Sequence, residues 1–145
     1  MRFFCDTNVL VSAIESRHEF HARALPVLQR VASKADTGVI ALHSLAECYA
    51  ALTRLPFPNK ITPLEAKRAI EVGILANFEV LSPVEGDYMA ALSRMADLGF
   101  PGARVYDALL LQAAERSGVE RIYTFNAKDF VALASPETIS KIAAP

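Results

Sequence analysis

The sequence predicts an α/β protein, a three-layer α/β/α sandwich whose central parallel sheet has four to five strands. Apolar runs of strand length alternate along the chain with longer segments whose apolar residues recur at helical spacing. This alternation is typical of a parallel sheet covered by helices on both faces. Acidic residues recur behind strand-like runs or at helix starts, at the edge where open α/β sheets bind their ligands.

The composition indicates one compact domain spanning residues 1–145. A chain of 145 residues with 52% hydrophobic residues and a mean hydropathy of +0.25 is long and apolar enough to bury a core. No apolar stretch reaches the length of a bilayer span. Asp6 interrupts the N-terminus before the apolar region of a signal peptide can form. We therefore expect a cytoplasmic protein that makes no membrane contact.

Cysteine content and charge limit the function classes further. Cys5 and Cys48 are too few and too far apart for a disulfide scaffold or a thiolate zinc site, so we expect two reduced, buried cysteines. The net charge of −1 at pH 7 argues against a nonspecific, high-affinity nucleic-acid binder. Any affinity for nucleic acid must come from a local patch, from bound cations or from a partner chain.

The N-terminal residues predict one strand and two helices. The apolar run Arg2–Cys5 predicts a buried strand, and Asn8–Ile14 predicts a short helix behind it. Glu19–Ser33 carries apolar residues at helical spacing and predicts a longer helix. Pro26 lies inside that segment and predicts a kink or a break near Leu25.

The next segment predicts a strand and two more helices. Thr37-Gly38 indicates a turn into the short buried strand Val39–Leu42. Ser44–Leu55 predicts a helix that two following prolines end. Thr62–Ala76 predicts a further helix, in which the threonine caps the N-terminus and Pro63 occupies the first helical position.

The C-terminal half continues the alternation. Gly99 and Gly118 follow the last periodic residues of two helical segments and predict their ends. The predicted elements are a strand at Phe78–Leu81, helices at Val84–Leu98 and Asp107–Ser117, a strand at Arg121–Thr124, a loop and short helix at Asn126–Leu133, and a weak edge strand at Thr138–Ile142.

The candidate functional groups are four acidic residues: Asp6, Glu47, Asp107 and Asp129. Each also has an ordinary structural explanation. Asp6 and Asp107 stand where they could cap the helices behind them. Ser44-Leu45-Ala46-Glu47 has the form of a capping box, in which the glutamate reaches back to the backbone of Ser44. Asp129 follows Lys128, and a solvated surface pair is the favoured explanation for the two.

The functional explanation of the acids depends on their joint positions. In a doubly wound sheet, acids at four separate element ends would converge on one cleft. Neighbouring carboxylates there cannot all ionise comfortably unless cations neutralise them. Oxygen ligands favour Mg²⁺ or Mn²⁺, whereas zinc would usually bring histidine or cysteine. His18 and His21 are predicted on a helix surface and His43 in a strand-to-helix turn. The sequence therefore predicts a metal-dependent nuclease.

Four segments carry a resemblance to a known family: Phe4-Cys5-Asp6-Thr7-Asn8-Val9-Leu10, Ser44-Leu45-Ala46-Glu47, Tyr106-Asp107-Ala108-Leu109-Leu110 and Thr124-Phe125-Asn126-Ala127-Lys128-Asp129-Phe130. In this order and spacing the chain resembles the PIN-domain ribonucleases, in particular the VapC-like toxins of bacterial and archaeal toxin–antitoxin pairs. The resemblance covers essentially the whole chain. It implies a PIN-like fold, bound Mg²⁺ or Mn²⁺, and endonucleolytic cleavage of RNA.

The resemblance also assigns roles to the acids. It makes Asp6 and Asp107 the central metal ligands, with Glu47 as their support. Many members of the family carry aspartate at the position of Asn126. Here either Asn126 or Asp129 therefore takes the position of the fourth acid in the metal site. Weaker metal binding at this fourth position favours one bound ion, with a second ion arriving together with the substrate.

Neighbouring polar residues are expected to bind substrate: Thr7, Asn8, Arg104, Thr124 and Asn126. Thr7 and Asn8 would orient Asp6 or contact a phosphate. Further cationic candidates for holding the RNA backbone are Arg54, Lys60 and Lys128. The expected chemistry is in-line attack on phosphorus by a metal-activated water, which leaves 5′-phosphate and 3′-hydroxyl ends.

The resemblance further implies a homodimer and a small antitoxin partner whose C-terminal segment covers the active-site groove. The helices Ser44–Leu55 and Thr62–Ala76 would furnish that groove, with two or three of Tyr49, Leu52, Leu55, Phe57 and Ile61. Two alternatives remain open: a housekeeping PIN ribonuclease, and a catalytically silent PIN-like module that binds a protein. A phosphoacceptor receiver domain is disfavoured because no acidic pair precedes the aspartate of the first strand.

Overall fold

Five parallel strands form the central sheet of the protein, whose computed structural model describes residues 1–145. The strands are β1 (Arg2–Cys5), β2 (Thr37–Ala41), β3 (Glu79–Leu81), β4 (Arg121–Tyr123) and β5 (Ile142–Ala143), in the order β3-β2-β1-β4-β5. The chain runs outwards from β1 to β3 and then crosses to β4 on the other side of β1. The carboxyl ends of β1 and β4 therefore flank a topological switch point, where open α/β sheets bind ligands.

Eight α-helices connect and follow the strands. They are α1 (Thr7–Ile14), α2 (His21–Ala32), α3 (His43–Leu52), α4 (Pro63–Ala69), α5 (Glu85–Leu98), α6 (Arg104–Arg116), α7 (Ala127–Leu133) and α8 (Pro136–Ile139), and α4 continues into the π-helical segment Ile70–Leu75. None of these helices combines the length and the apolar character that crossing a bilayer requires.

Helices cover both faces of the sheet, which confirms the predicted three-layer architecture. Successive side chains of a strand point to opposite faces, so Phe3 and Cys5 enter one core while Phe4 enters the other. The first core is completed by α1 to α4, and the second by α5, α6 and α7. Cys5 and Cys48 are free and buried in the first core, as predicted.

Two predictions for the N-terminal half are wrong. Helix α2 continues through Pro26 without a break, so the predicted break is wrong; Pro26 is exposed. Gly38 lies inside β2, not in a turn. A Cβ atom on Gly38 would lie 2.4 Å from the ring of Phe78 and 2.8 Å from Val31. Glycine is therefore needed here because the ring packs directly against the strand backbone.

Helix α4 confirms its predicted start. Thr62 accepts a hydrogen bond from the backbone N–H of Glu65, whose carboxylate in turn accepts the N–H of Thr62 at 2.7 Å. This is a capping box with proline at the first helical position. The predicted helix to Ala76 changes into the π-helical segment after Ala69, a change that local propensity does not reveal.

Two boundaries in the C-terminal half also differ from prediction. Helix α6 begins at Arg104, three residues before Asp107, so the aspartate lies inside the helix and does not cap it. The weak edge strand Thr138–Ile142 is wrong as placed, because Pro136–Ile139 forms the short helix α8 and only Ile142–Ala143 pairs with β4.

Candidate active site

Asp6 stands at the carboxyl end of β1, as the residue that precedes α1. It is 4% exposed, and its Oδ2 accepts a hydrogen bond of 2.6 Å from the hydroxyl of Thr124. Burial raises the pKa of Asp6 to about 7, against the lowering effect of the Thr124 bond, and the charges of Asp107 and Glu47 raise it further. The side chain makes no capping bond to the first turn of α1, so capping does not explain this aspartate.

Thr124 and Asn8 fix the loop that follows β4 against Asp6. Besides donating to Asp6, the Thr124 hydroxyl accepts the backbone N–H of Asn126 at 2.9 Å and the Asn8 side-chain amide at 3.3 Å. The Oδ1 of Asn8 accepts the N–H of Phe125 at 3.1 Å. Thr124 is fully buried, so this predicted substrate-binding residue can influence a substrate only through Asp6 and the loop.

Glu47 lies one turn inside α3, and the predicted capping box is absent. Helix α3 begins at His43, and the residue before it makes no side-chain cap. The carboxylate of Glu47 instead accepts a hydrogen bond of 2.5 Å from the Thr7 hydroxyl and lies 3.5 Å from Nε2 of His43. The hydroxyl of Ser44 is buried without a partner. Glu47 therefore contacts the side chains of Thr7 in α1 and of His43 at the start of its own helix, and it does not cap the backbone of Ser44.

Asp107 lies in the first turn of α6 and lines the same cleft. Partial burial raises its pKa, the charges of Glu47 and Asp129 raise it further, and the nearby guanidinium of Arg104 lowers it. The effects of these two carboxylates show that Asp107 lies close to both Glu47 and Asp129. The helix starts earlier than predicted: because α6 begins at Arg104, Asp107 lies inside the helix, and it lines the cavity.

Asp129 is engaged by two neighbours and does not line the cavity. Its Oδ1 pairs with Arg104 at 3.3 Å, and its Oδ2 accepts the side-chain amide of Asn126 at 2.8 Å. Arg104 also lies over the ring of Phe100, 4.6 Å from its centroid. Asn126, in contrast, does line the cavity. Of the two candidates for the fourth position of the metal site, Asn126 thus lines the cavity and Asp129 does not.

A cavity of about 570 Å³ joins three of the four predicted acids, Asp6, Glu47 and Asp107. Thr7, Asn8 and Asn126 line it as well, whereas Arg104, Thr124 and Asp129 do not. In the observed rotamers no three acidic, histidine or cysteine side chains converge tightly enough to hold a metal ion. The chemistry of the set nevertheless fits a hard cation, because three carboxylates share a confined space in which the pKa of the most buried one is raised.

Sequence analysis did not predict that several aromatic side chains lie around the acids. His18 precedes α2 and lines the cavity together with Phe20 and Phe125, so its prediction as a helix-surface residue is wrong. The ring of His43 stacks on that of Tyr106, with centroids 5.4 Å apart and planes within 9°. Only the position of Phe125, between two polar residues of a strand-end loop, offered a signal in the sequence.

Comparisons with known proteins agree with this fold. The family model described as "PIN domain" matches residues 3–135. Ribonuclease VapC40 of Mycobacterium tuberculosis is 30% identical over 116 residues, which are 79% of this chain and 80% of VapC40.

Solved structures resemble the fold. VapC20 of Mycobacterium tuberculosis, a sarcin-ricin loop cleaving toxin, has a TM-score of 0.71 at 17% identity and covers 90% of this chain and 94% of its own. FitAcB from Neisseria gonorrhoeae has a TM-score of 0.63 at 19% identity, covering 90% and 92%. VapBC2 from Rickettsia felis, bound to a promoter DNA fragment, has a TM-score of 0.62 at 19% identity, covering 90% and 91%. With its parallel sheet and acid-lined cleft, the chain belongs to the PIN domain family, as a VapC-like member.

Proposed function

We propose that this protein is an Mg²⁺- or Mn²⁺-dependent endoribonuclease and the toxin of a toxin–antitoxin pair. The observation that carries the proposal is the single cavity lined by Asp6, Glu47 and Asp107 at the switch point of the sheet. Two relatives support the RNA substrate, since VapC40 is named a ribonuclease and VapC20 a toxin that cleaves the sarcin-ricin loop. The proposed place of action is the cytoplasm.

Asp6, Asp107 and Glu47 would hold the ion. Bound there, a divalent cation supplies positive charge for the phosphate oxygens and acidifies water for attack on phosphorus. The protein's own contribution is orientation. The hydroxyl of Thr124 donates to one oxygen of Asp6 at 2.6 Å, and that of Thr7 donates to one oxygen of Glu47 at 2.5 Å, so both carboxylates are held in place.

Asn126 is our candidate for the fourth place, with Asp129 as its positioning partner. Asn126 lines the cavity and donates its side-chain amide to Asp129, which leaves its carbonyl oxygen available. Asp129 adds negative charge near Asp107 without entering the cavity. Arg104, already paired with Asp129 at 3.3 Å, is proposed to turn towards a substrate phosphate when RNA binds. A neutral fourth group favours one tightly held ion.

The antitoxin is proposed to cover the groove between α3 and the α4 region. This groove has a volume of about 610 Å³ and an apolar lining that includes Leu45, Tyr49 and Leu64. Leu64 is 65% exposed and Tyr49 41%, so both are free to contact a partner. Leu52, predicted as a possible member, belongs to the core instead. A Leu64→Asp variant should bind a cognate antitoxin more weakly and keep its nuclease activity.

A homodimer is proposed through the exposed apolar side chains of α5. Tyr88, Met89 and Leu92 are each about half exposed, which is unusual for so many large apolar groups on one helix. Light scattering after gel filtration should give twice the mass of one chain. A monomer at micromolar concentration would contradict this part of the proposal.

The nuclease proposal is tested by sequencing RNA ends after brief induction of the protein. Native protein should generate new 5′-phosphate ends, and Asp6→Asn and Asp107→Asn should generate none. Asp97→Asn is the matched control, because it makes the same chemical change at an exposed position of α5. In vitro, Mn²⁺ should bind the native protein and the control but not the two active-site variants. If all four proteins cleave alike, the carboxylates are not the catalytic groups.

A further inference from the structure

A stacked aromatic pair forms one wall of the acid-lined cavity. The rings of Phe20, before α2, and Phe125, after β4, have centroids 4.4 Å apart and planes within 19° of parallel. The guanidinium of Arg23 lies 5.8 Å from the first centroid and 5.3 Å from the second. His18 adds a fourth flat group, with its ring centroid 5.7 Å from that of Phe20. Neither phenylalanine is fully buried.

The chain holds this pair in a fixed relation to the carboxylates. Phe125 directly follows Thr124, which binds Asp6, and the N–H of Phe125 is accepted by Asn8. The N–H of Phe20 is accepted by Nδ1 of His18 at 3.2 Å. Both rings line the same cavity of about 570 Å³ as the three acids, a volume within the range of small-molecule sites. A group bound at the acids therefore has flat aromatic surface within the same cleft.

The charge of the protein makes such a surface useful for RNA. The chain carries a net charge of −1, and the cavity itself is lined by carboxylates, so phosphate attraction alone provides little affinity. Unpaired RNA bases are commonly held by stacking on aromatic rings and on arginine guanidinium planes, and this interaction tolerates many sequences. The stacked pair and its arginine offer both kinds of surface beside the acids.

We infer that Phe20 and Phe125 are the platform on which an unpaired RNA base stacks beside the cleaved phosphate. This inference rests on the proposed ribonuclease function and names the form of substrate that it requires, a nucleotide whose base is free of a pairing partner. Recognition through the flat face predicts tolerance of base identity, with a preference for purines because they offer more surface for stacking.

The protein contains a matched control for this pair. Phe57 is also partly buried and also lies beneath a guanidinium, that of Arg17 at 4.9 Å from the ring centroid. It lies outside the acid-lined cavity. Phe57→Leu therefore makes the same loss of an aromatic ring away from the acids, and Phe20→Tyr keeps the ring at the tested position.

The first experiment uses RNA substrates from which a single base has been removed. Abasic nucleotides are placed in turn on either side of the cleaved phosphate, and KM and kcat are measured for native protein, Phe20→Leu, Phe20→Tyr and Phe57→Leu. At one position, base removal should raise KM roughly 5- to 150-fold for native protein, Phe20→Tyr and Phe57→Leu. It should have little effect for Phe20→Leu, whose KM is already raised. Equal base dependence in all four proteins would overturn the inference.

The second experiment reads stacking without cleavage. A uridine dodecamer with one central 2-aminopurine is titrated with Asp6→Asn protein in Mg²⁺, alone and combined with Phe20→Leu or Phe57→Leu. Quenching of the fluorescence should be lost only with Phe20→Leu. Quenching that depends on Phe20, combined with native protein that cleaves no RNA, would sink the proposed nuclease and keep the platform. Normal cleavage with no dependence on Phe20 would overturn the platform alone, and would assign the rings to packing or to a protein partner.

Discussion

Replacing Asp6 by asparagine should stabilise the metal-free protein at neutral pH. Asp6 is 4% exposed; burial, with the added charges of Asp107 and Glu47, raises its pKa from 3.8 to about 7. Between these values the folded protein holds a proton that the unfolded chain has released. Raising the pH through this window therefore favours the unfolded state.

The size of the effect follows from the pKa change. A rise from 3.8 to about 7 corresponds to about 4 kcal/mol, or a change in Tm of roughly 8–16 °C for a chain of this size. The pKa of Asp107 is also raised. The free energy of unfolding of Asp6→Asn should therefore still fall as the pH rises, but with a smaller slope. Glu15 and Asp36 have their pKa lowered from 4.5 and 3.8 to about 2, so the stability they contribute is lost as the pH falls from about 4.5 towards 2, mostly below the window set by Asp6.

The assay is urea unfolding in EDTA at several pH values from about 4.5 to about 8, the window in which the linkage acts. Native protein and the exposed control Asp97→Asn should lose stability as the pH rises, and Asp6→Asn should lose much less. Adding Mn²⁺ at the upper end should restore stability to the native protein and the control but not to Asp6→Asn. If the free energy of unfolding in EDTA changes with pH by the same slope in all three proteins, the pH dependence does not come from the raised pKa of Asp6. That result would refute the reasoning.

Two further changes test the packing and the support of the site. Gly38→Ala should cost about 1–3 kcal/mol, because the new methyl group would lie 2.4 Å from the ring of Phe78; Gly86→Ala, with open space around it, should be neutral or stabilising by up to about 1 kcal/mol. Equal stability of the two variants in urea would contradict the close contact. Thr124→Val removes the hydrogen bond that lowers the pKa of Asp6, so Mn²⁺ binding should require a higher pH, and an unchanged pH dependence in calorimetric titration would exclude this role.

The convergence of the acids was predictable because it depends on topology. Strand-like runs placed Asp6 and Thr124 at two strand ends, and the carboxyl ends of parallel strands lie at one edge of the sheet. The pattern of alternating elements was therefore enough to bring together residues that are 118 positions apart. Glu47 and Asp107 joined them from helices that pack against this edge.

The local roles of the acids were not predictable from local patterns. The Ser44–Glu47 segment has the sequence of a capping box, yet the hydroxyl of Thr7 competes successfully for the glutamate. Asp107 looks like a helix start, but α6 begins at Arg104 behind a residue that provides no side-chain cap. For Glu47 a partner distant in sequence outweighs a short-range preference, and for Asp107 the helix begins three residues earlier than its sequence pattern indicates.

The aromatic wall and the edge of the sheet escaped prediction for different reasons. Phe20 and Phe125 are 105 positions apart by their numbering, and their contact follows from the return of the chain to β4 beside β1. The strand β5 has only two residues, fewer than any periodic pattern needs to be recognised. Asp129 could not be separated from Asn126 because both lie within one loop and helix start.

The hydrogen bond between Asp6 and Thr124 has a consequence for biosynthesis. An emerging polypeptide contains Asp6 from the beginning, but β1 lacks its neighbour β4 until residues 121–123 have been made. A chain still being translated therefore exposes its first acid without the hydroxyl that orients it. For an enzyme that would attack RNA, this order of assembly withholds the complete centre until almost the whole polypeptide has left the ribosome.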